Sequence, residues 1–267
     1  MRLTIAAVAC AGSGVIRGIP VQQLREDSVS ELNLSNRRLH GPAAMLVAYL
    51  IPATKMLKNC NFLKNRFDVE LAKKLAKIGA EKGIMLSGMT RNQTEANLEH
   101  QNLQPADAIL IASDLKFMAV LTNLNLYCNG IGDDGAKAIA EALKVNPVLT
   151  KLDLSRNYSI GDDGAKAIAE ALKVNAVLTN LDLSYNYTIG DNGAKAIAEA
   201  LKVNTVLNNL YLYGNSIGDD GAKVIVEALK VNPVLTILDL AANHLGDAGK
   251  KAVREAVKDR SGFVLEL

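Results

Sequence analysis

The chain has 267 residues, 49% of them hydrophobic and 22% charged, which excludes a disordered chain and supplies a sizeable core. Formal net charge is +2 with acids and bases mixed, aromatic residues are 4% and tryptophan is absent, so neither a basic stripe nor a base-stacking platform for nucleic acid is expected. Cys10, Cys60 and Cys128 are odd in number and far apart, which excludes a disulfide framework or a CxxC metal site and fits reduced thiols.

Residues 1–24 read as a leader. Arg2 precedes an apolar run from Leu3 to Cys10, and Ala9-Cys10-Ala11 is similar to a small-residue cleavage site. A cytoplasmic protein is the first expectation, and a secreted one is the alternative if residues 1–11 are a signal peptide. No stretch reaches the roughly 18 apolar residues of a membrane span. The first expected strand is Leu32–Leu34, followed by a helix near Ala43–Leu50. From Leu57, LKNCNFLKNRFDVELAKKLAKI places Cys60 and Phe62 in inward strand slots, Asn65 just beyond them, and then a helix. Between Ile78 and Thr94 the register is disturbed. EKGIMLSGMTRNQT holds extra residues and the apolar run Ile84–Leu86, read as an irregular turn with a strand but no full helix. The alternative is a small break between an N-terminal block and the regular repeats. ANLEHQNL then gives a strand with Leu98, and LQPADAILIASDL its helix.

From here the chain repeats itself. GAKAIAEALKVN is identical at Gly135–Asn146, Gly164–Asn175 and Gly193–Asn204, and recurs with two changes at Gly221–Asn232. The block's glycine, continued to Gly249, recurs after 29, 29, 28 and 28 residues. The longer spacings come from one extra residue after an Asn, in RNYSIG and YNYTIG, which a loop tolerates and a packed element does not. Upstream of each block stands LxxLxLxxN, beginning at Leu121, Leu149, Leu178, Leu207 and Leu235. Leu124 and Leu126 alternate with polar residues, the period of a strand with one buried face. Asp133, Asp134 and Gly135 are expected to stop the strand and offer a helix N-cap. Ala136, Ile139, Ala140 and Leu143 form one apolar helical stripe, with Lys137, Glu141 and Lys144 on the wet side. Asn146-Pro147 ends the helix. Asn129, Asn157, Asn186, Asn215 and Asn243 are expected to turn inward and satisfy loop backbone groups of adjacent turns. In GKKAVREAVKDR, Lys250 and Arg254 replace alanines that elsewhere meet a neighbour, as a terminal cap requires. FVLEL adds one further strand.

On the LxxLxLxxN pattern and the period, the sequence resembles the leucine-rich repeat family over roughly residues 25–267. The GAKAIAEAL helix resembles its ribonuclease-inhibitor-like subclass, also seen in GALA-type repeats. The resemblance implies an α/β solenoid shaped as a horseshoe, with a parallel sheet on the concave face and helices on the convex face. Residues 25–92 are expected as degenerate repeats, 93–248 as regular ones and 249–267 as a C-terminal cap.

Chemistry is hard to place on this chain. GDDGAK lacks the spacing of a phosphate loop and reads better as a helix start. A calcium loop fails because Gly130 and Gly132 stand where acids are needed. His40, His100 and His244 fall in turns of three separate repeats and make neither a metal cluster nor a triad. Cys60 reads as a small core residue, and Cys128 lies just past a strand. No catalytic residue, cofactor or metal is called for. What remains is the open face of the sheet. Its outward slots hold a column of Asp153, Asp182 and Asp239, with Tyr127, Tyr211 and Tyr213 beside it, and these six are the candidate partner-binding residues. The expected function is a non-catalytic scaffold that binds a protein partner, not nucleic acid or a membrane. Two alternatives follow from the resemblance: a GTPase-activating regulator similar to RanGAP-type proteins, or the sensor fragment of a larger immune-type receptor.

Overall fold

The structure is a computed structural model in which residues 18–267 are described; the run Leu3–Cys10 and its cleavage-like triplet lie outside the described residues. Strands and helices alternate along the chain. The N-terminal part runs α1 (Val21–Arg25), β1 (Glu31–Asn33), α2 (Gly41–Leu50), a 3-10 turn (Ile51–Ala53), β2 (Asn59–Asn61) and α3 (Val69–Lys82). Next come β3 (Glu95–Asn97), α4 (Pro105–Leu115), β4 (Asn123–Asn125), α5 (Gly132–Leu143), β5 (Lys151–Asp153) and α6 (Asp162–Leu172). The chain closes with β6 (Asn180–Asp182), α7 (Asp191–Leu201), β7 (Asn209–Tyr211), α8 (Asp219–Leu229), β8 (Ile237–Asp239), α9 (Asp247–Val257) and β9 (Val264–Glu266).

The leucine alternation builds the sheet. Leu124, Leu152, Leu181, Leu210 and Leu238 are each the buried middle residue of a strand, and they stand in register as parallel partners from β4 to β8. Leu126, Leu154, Leu183, Leu212 and Leu240 repeat the layer two residues on. The helical stripe faces them: Ala136, Ile139, Ala140 and Leu143 are buried, as are their counterparts in α6 and α7. Packed helices need about 8–10 Å of separation and paired strands about 4.8 Å, so stacked rungs curve with the strands inside. β9 pairs with β8 as the expected last strand. At the other end the core includes Ile19, Val21 and Leu24, within the segment expected as a leader.

Two sets of asparagines fill the interior with satisfied amides. Asn129 donates from Nδ2 to Leu98 O (2.9 Å) and Leu126 O (3.0 Å), and its Oδ1 accepts from Gln101 N and Leu103 N. Asn65, Asn157, Asn186, Asn215 and Asn243 likewise bridge from their own turn to the preceding one. The second set sits past the helices. Asn175, Asn204 and Asn232 donate at 2.7 Å to Leu143 O, Leu172 O and Leu201 O, the last carbonyls of the preceding helices. The sequence reading gave Asn146 only the role of ending a helix, and it too donates back, to Leu115 O.

The acidic helix starts behave differently from the expected N-caps. α5 begins at Gly132, so Asp133 already lies in its first turn, and no side chain caps α5 to α8. Asp133 instead points to the next repeat, where its Oδ1 accepts from Gly161 N (2.8 Å) and Gly164 N (2.9 Å). Asp162 takes Gly190 and Gly193 in the same way, and Asp191 takes Gly218 and Gly221. These carboxylates close the orphan N–H groups of the following helix rather than their own.

The sheet is interrupted where the register is disturbed. β1 and β2 pair with each other, while β3 to β9 form a separate seven-stranded sheet. Ile84–Leu86 extends the smaller sheet, with Cys60 N donating to Met85 O (2.7 Å) and Phe62 N to Leu86 O (2.9 Å). Leu86 has no further strand to donate to, and α4 supplies the missing acceptors. Asp114 accepts from Leu86 N (2.8 Å), Ser87 N (2.8 Å) and Ser87 Oγ (2.6 Å). At the other end of α4, Asp107 accepts from Lys64 N (2.7 Å) while closing a capping box with Gln104. The helices α3 and α4 still pack against each other, so the interruption belongs to the sheet alone.

Candidate functional site

The outward slots of β3 to β9 form the open face, and no described element is laid over it. Strand register fixes its middle column as Asn97, Asn125, Asp153, Asp182, Tyr211, Asp239 and Glu266 on successive strands. Each aspartate is held by its own strand. Ser155 N, Ser184 N and Ala241 N donate to Oδ1 of Asp153, Asp182 and Asp239 at 2.8, 2.8 and 2.9 Å. Burial pushes the Asp182 carboxyl above the usual carboxylate range, and the charges of Asp153 and Asp239 push it further the same way. Asp239 is raised by burial and then by Glu266.

The tyrosines divide. Tyr211 stands in the acidic column, between Asp182 and Asp239 on the neighbouring strands. Tyr127 and Tyr213 belong to a ridge along the edge of the sheet. His100 meets Tyr127 edge-on with centroids 5.0 Å apart, and the Arg156 guanidinium lies 5.7 Å from the Tyr127 ring and 4.5 Å from the Tyr185 ring. Tyr185 packs on Tyr213 at 4.9 Å, and Tyr187 meets Tyr185 and stacks on Tyr158 at 5.1 Å. From His100 after β3 to Tyr213 after β7, the ridge crosses five turns of the solenoid.

Arg156 and Tyr185 fall just after β5 and β6, and nothing in the sequence analysis joined them to the tyrosines. The signal that could have found them is positional. They share one slot with Cys128, Gly214 and Ala242, and all five have positive φ, between 54° and 64°. Only glycine takes that conformation without cost, so a bulky residue there is held by its neighbours. At Gly214 a β-carbon would stand 3.0 Å from the Tyr185 ring, and the bare backbone makes room for it.

Elsewhere there is little to hold a small ligand. Among the described residues no group of three or more His, Cys, Asp or Glu side chains could hold a metal ion, and no helix is long and apolar enough to cross a membrane. His40, His100 and His244 lie exposed in separate turns. Cys60 is buried, and burial together with the charge of Asp114 pushes its thiol well above the ordinary range. A polar cleft of about 590 Å³ opens at the sheet interruption, between Asn61, Ser87 and Gly88 on one side and Glu95 and Asn97 on the other.

The match to a protein family agrees with this architecture. The Leucine Rich repeat family matches residues 118–140, 145–169, 174–198, 203–226 and 231–253. No curated protein matches. Among solved structures, the chain is similar to leiomodin-1 actin-binding site 2, with 26% identity over 48% of this chain and 75% of that one and a TM-score of 0.43. It is also similar to a Bacteroides fragilis protein, with 13% identity over 88% of this chain and 65% of that one and a TM-score of 0.34. With strand, asparagine and helix in place in every matched segment, the chain is an α/β leucine-rich repeat solenoid, five of whose repeats lie between residues 118 and 253.

Proposed function

We propose that the chain is a non-catalytic scaffold that binds a partner protein on the open face of its sheet. Tyr127, Asp153, Asp182, Tyr211, Tyr213 and Asp239 are the contacts assigned to it. The observation that carries the reading is the combination of an uncovered seven-stranded face with an aromatic ridge packed along its edge. Tyrosines already packed in place lose little side-chain freedom on association, so a preformed surface avoids much of the ordering cost. The period and the helix in each repeat support the ribonuclease-inhibitor-like subclass. Partners captured from native extract by the wild type and by a Tyr211→Ala/Tyr213→Ala variant test the reading. A specific partner lost by the variant, with its thermal unfolding unchanged, supports it. An identical set of partners discards the tyrosine contacts.

A further inference from the structure

We infer that the segment received by the open face is basic, laying arginine or lysine side chains along the column Asp153, Asp182, Tyr211, Asp239 and Glu266. This rests on the reading that the open face is the binding surface, and it adds the chemistry of the partner.

The argument begins with where the charge goes. The whole chain is close to neutral, at +2. The outward slots of β3 to β9 hold six carboxylates, on Glu95, Glu99, Asp153, Asp182, Asp239 and Glu266, against one cation, Lys151. The repeats' other lysines lie on the helices, where Lys144, Lys173, Lys202 and Lys230 pair with glutamates one turn away. The near-neutral total hides this, because residues 1–92 carry 14 bases against six acids while residues 93–267 carry 22 acids against 16 bases. An acidic sheet lines the inside, and neutralised helices line the outside.

The column is also left unneutralised. Neighbouring strands stand about 4.8 Å apart, so Asp153 and Asp182, and Asp239 and Glu266, are adjacent like charges. Among the described residues no lysine or arginine pairs with any of the four. The hydrogen bonds from residues two positions on fix each aspartate without cancelling its charge. A surface of one sign, fixed in place, favours and steers a partner of the opposite sign.

The aromatic residues suit the same partner. The protein already holds one guanidinium, that of Arg156, near the rings of Tyr127 and Tyr185. Tyr211 offers a ring between two carboxylates, and Tyr213 stands on the same strand. An arginine can lie on a ring while it forks to a carboxylate, a combination that neither an acidic nor a purely apolar segment can use.

The test uses the full chain and two labelled probes, an oligo-arginine peptide and an oligo-glutamate peptide of equal length, followed by fluorescence anisotropy and backbone amide shifts. The test variant is Asp153→Asn/Asp182→Asn/Asp239→Asn. It keeps the fold because Asn97 and Asn125 already occupy this column, and their Oδ1 atoms accept from Glu99 N and Tyr127 N. The control is Asp163→Asn/Glu199→Gln/Glu227→Gln, the same charge change on the helices. We expect the arginine peptide to bind the wild type, to weaken about tenfold or more on the test variant, and to change about twofold or less on the control. Equal losses on both variants, or shifts confined to the helices, overturn the inference. If the glutamate peptide shifts β5 to β8 instead, the basic partner falls while the open face stands. If neither peptide binds, the basic partner falls and the tyrosine variant alone decides the face.

Discussion

The carboxylate of Asp133 occupies the space that a β-carbon on Gly164 would need. Such an atom would stand 2.7 Å from Asp133 Oδ1, 2.9 Å from Ile160 Cγ2 and 3.1 Å from the Ala136 β-carbon. The same arrangement recurs at Gly193 with Asp162 and at Gly221 with Asp191. Three positions of the repeat are thereby tied together across repeats. The aspartate needs the next glycine bare, and the glycine needs the previous helix to present alanine. A change in one copy is felt in the next.

The first prediction follows from this. Alanine in place of glycine within a solvated helix stabilises by about 1 kcal/mol through propensity. Gly164→Ala should do the reverse and cost about 1–3 kcal/mol, because the crowding is against a neighbouring backbone-bound carboxylate and two packed side chains. Urea unfolding checks the sign. In a double-mutant cycle, Asp133→Ala should reduce the cost of the alanine, since the nearest obstacle is gone. A raised urea midpoint for Gly164→Ala alone would remove the packing explanation.

Much of the rung was legible in the sequence because its signals are local. Leu124 and Leu126 announce a strand by alternation, and Asn129 follows at a fixed distance. The parts that were not legible depend on partners one turn away. Asp133 looks like a cap for its own helix, since sequence proximity favours that reading. The stacking of rungs hands it to Gly161 and Gly164. The ridge was hidden for a similar reason. Tyr127, Arg156, Tyr185 and Tyr213 sit at unequal offsets within their repeats, and only left-handed backbone after the strand brings them into line. The interruption at residues 84–94 was visible as disturbance, but nothing local says that Asp114, some 28 residues away, supplies its acceptor.

Asp114 gives the second prediction. Its carboxyl is pushed up to about 6, from an ordinary 3.8, chiefly by burial, against hydrogen bonds from Ser87 and Leu86 that lower it. Between these two pH values the folded chain holds a proton that the unfolded chain has released. The stabilisation from this group is complete below about pH 4, falls as pH rises, and is gone above about pH 6. A difference of that size corresponds to about 3 kcal/mol at most. Urea midpoints measured from pH 4 to 7 should therefore converge between wild type and Asp114→Asn as pH rises, apart from a constant offset for the lost acceptor. Parallel curves would mean that Asp114 does not titrate in this range.

The third prediction concerns Ala242. It sits at φ 55° in the same slot as Gly214, exposed and at the end of β8. A β-carbon in the left-handed region costs roughly 1–2 kcal/mol, and here no side chain beyond the methyl gains contact in return. Ala242→Gly should stabilise by about 0.5–1 kcal/mol after the larger entropy of the unfolded glycine is set against it. Gly214→Ala should move the other way, since it adds both the strained conformation and the approach to the Tyr185 ring. Thermal unfolding of the two variants separates the claims, and equal signs would contradict the slot's common geometry.

The last prediction addresses the second asparagine set. Asn204 is buried and makes bonds in two directions. Its Nδ2 donates to Leu172 O at 2.7 Å, and its Oδ1 accepts from Val206 N at 3.0 Å and Leu207 N at 2.8 Å. Removing it leaves a helix-end carbonyl of one repeat and two strand-entry amides of the next without partners, where water cannot readily replace them. Asn204→Ala should cost about 2–4 kcal/mol, while Val203→Ala, one residue away and exposed, should cost little. Hydrogen exchange gives the sharper readout. The amides of Val206 and Leu207 should lose protection first. A uniform loss across all repeats would show that Asn204 acts only on global stability, whereas loss confined to that junction is what its side-chain bonds, which also reach Asn175 O, require, because in a stack each repeat is held by its neighbours alone.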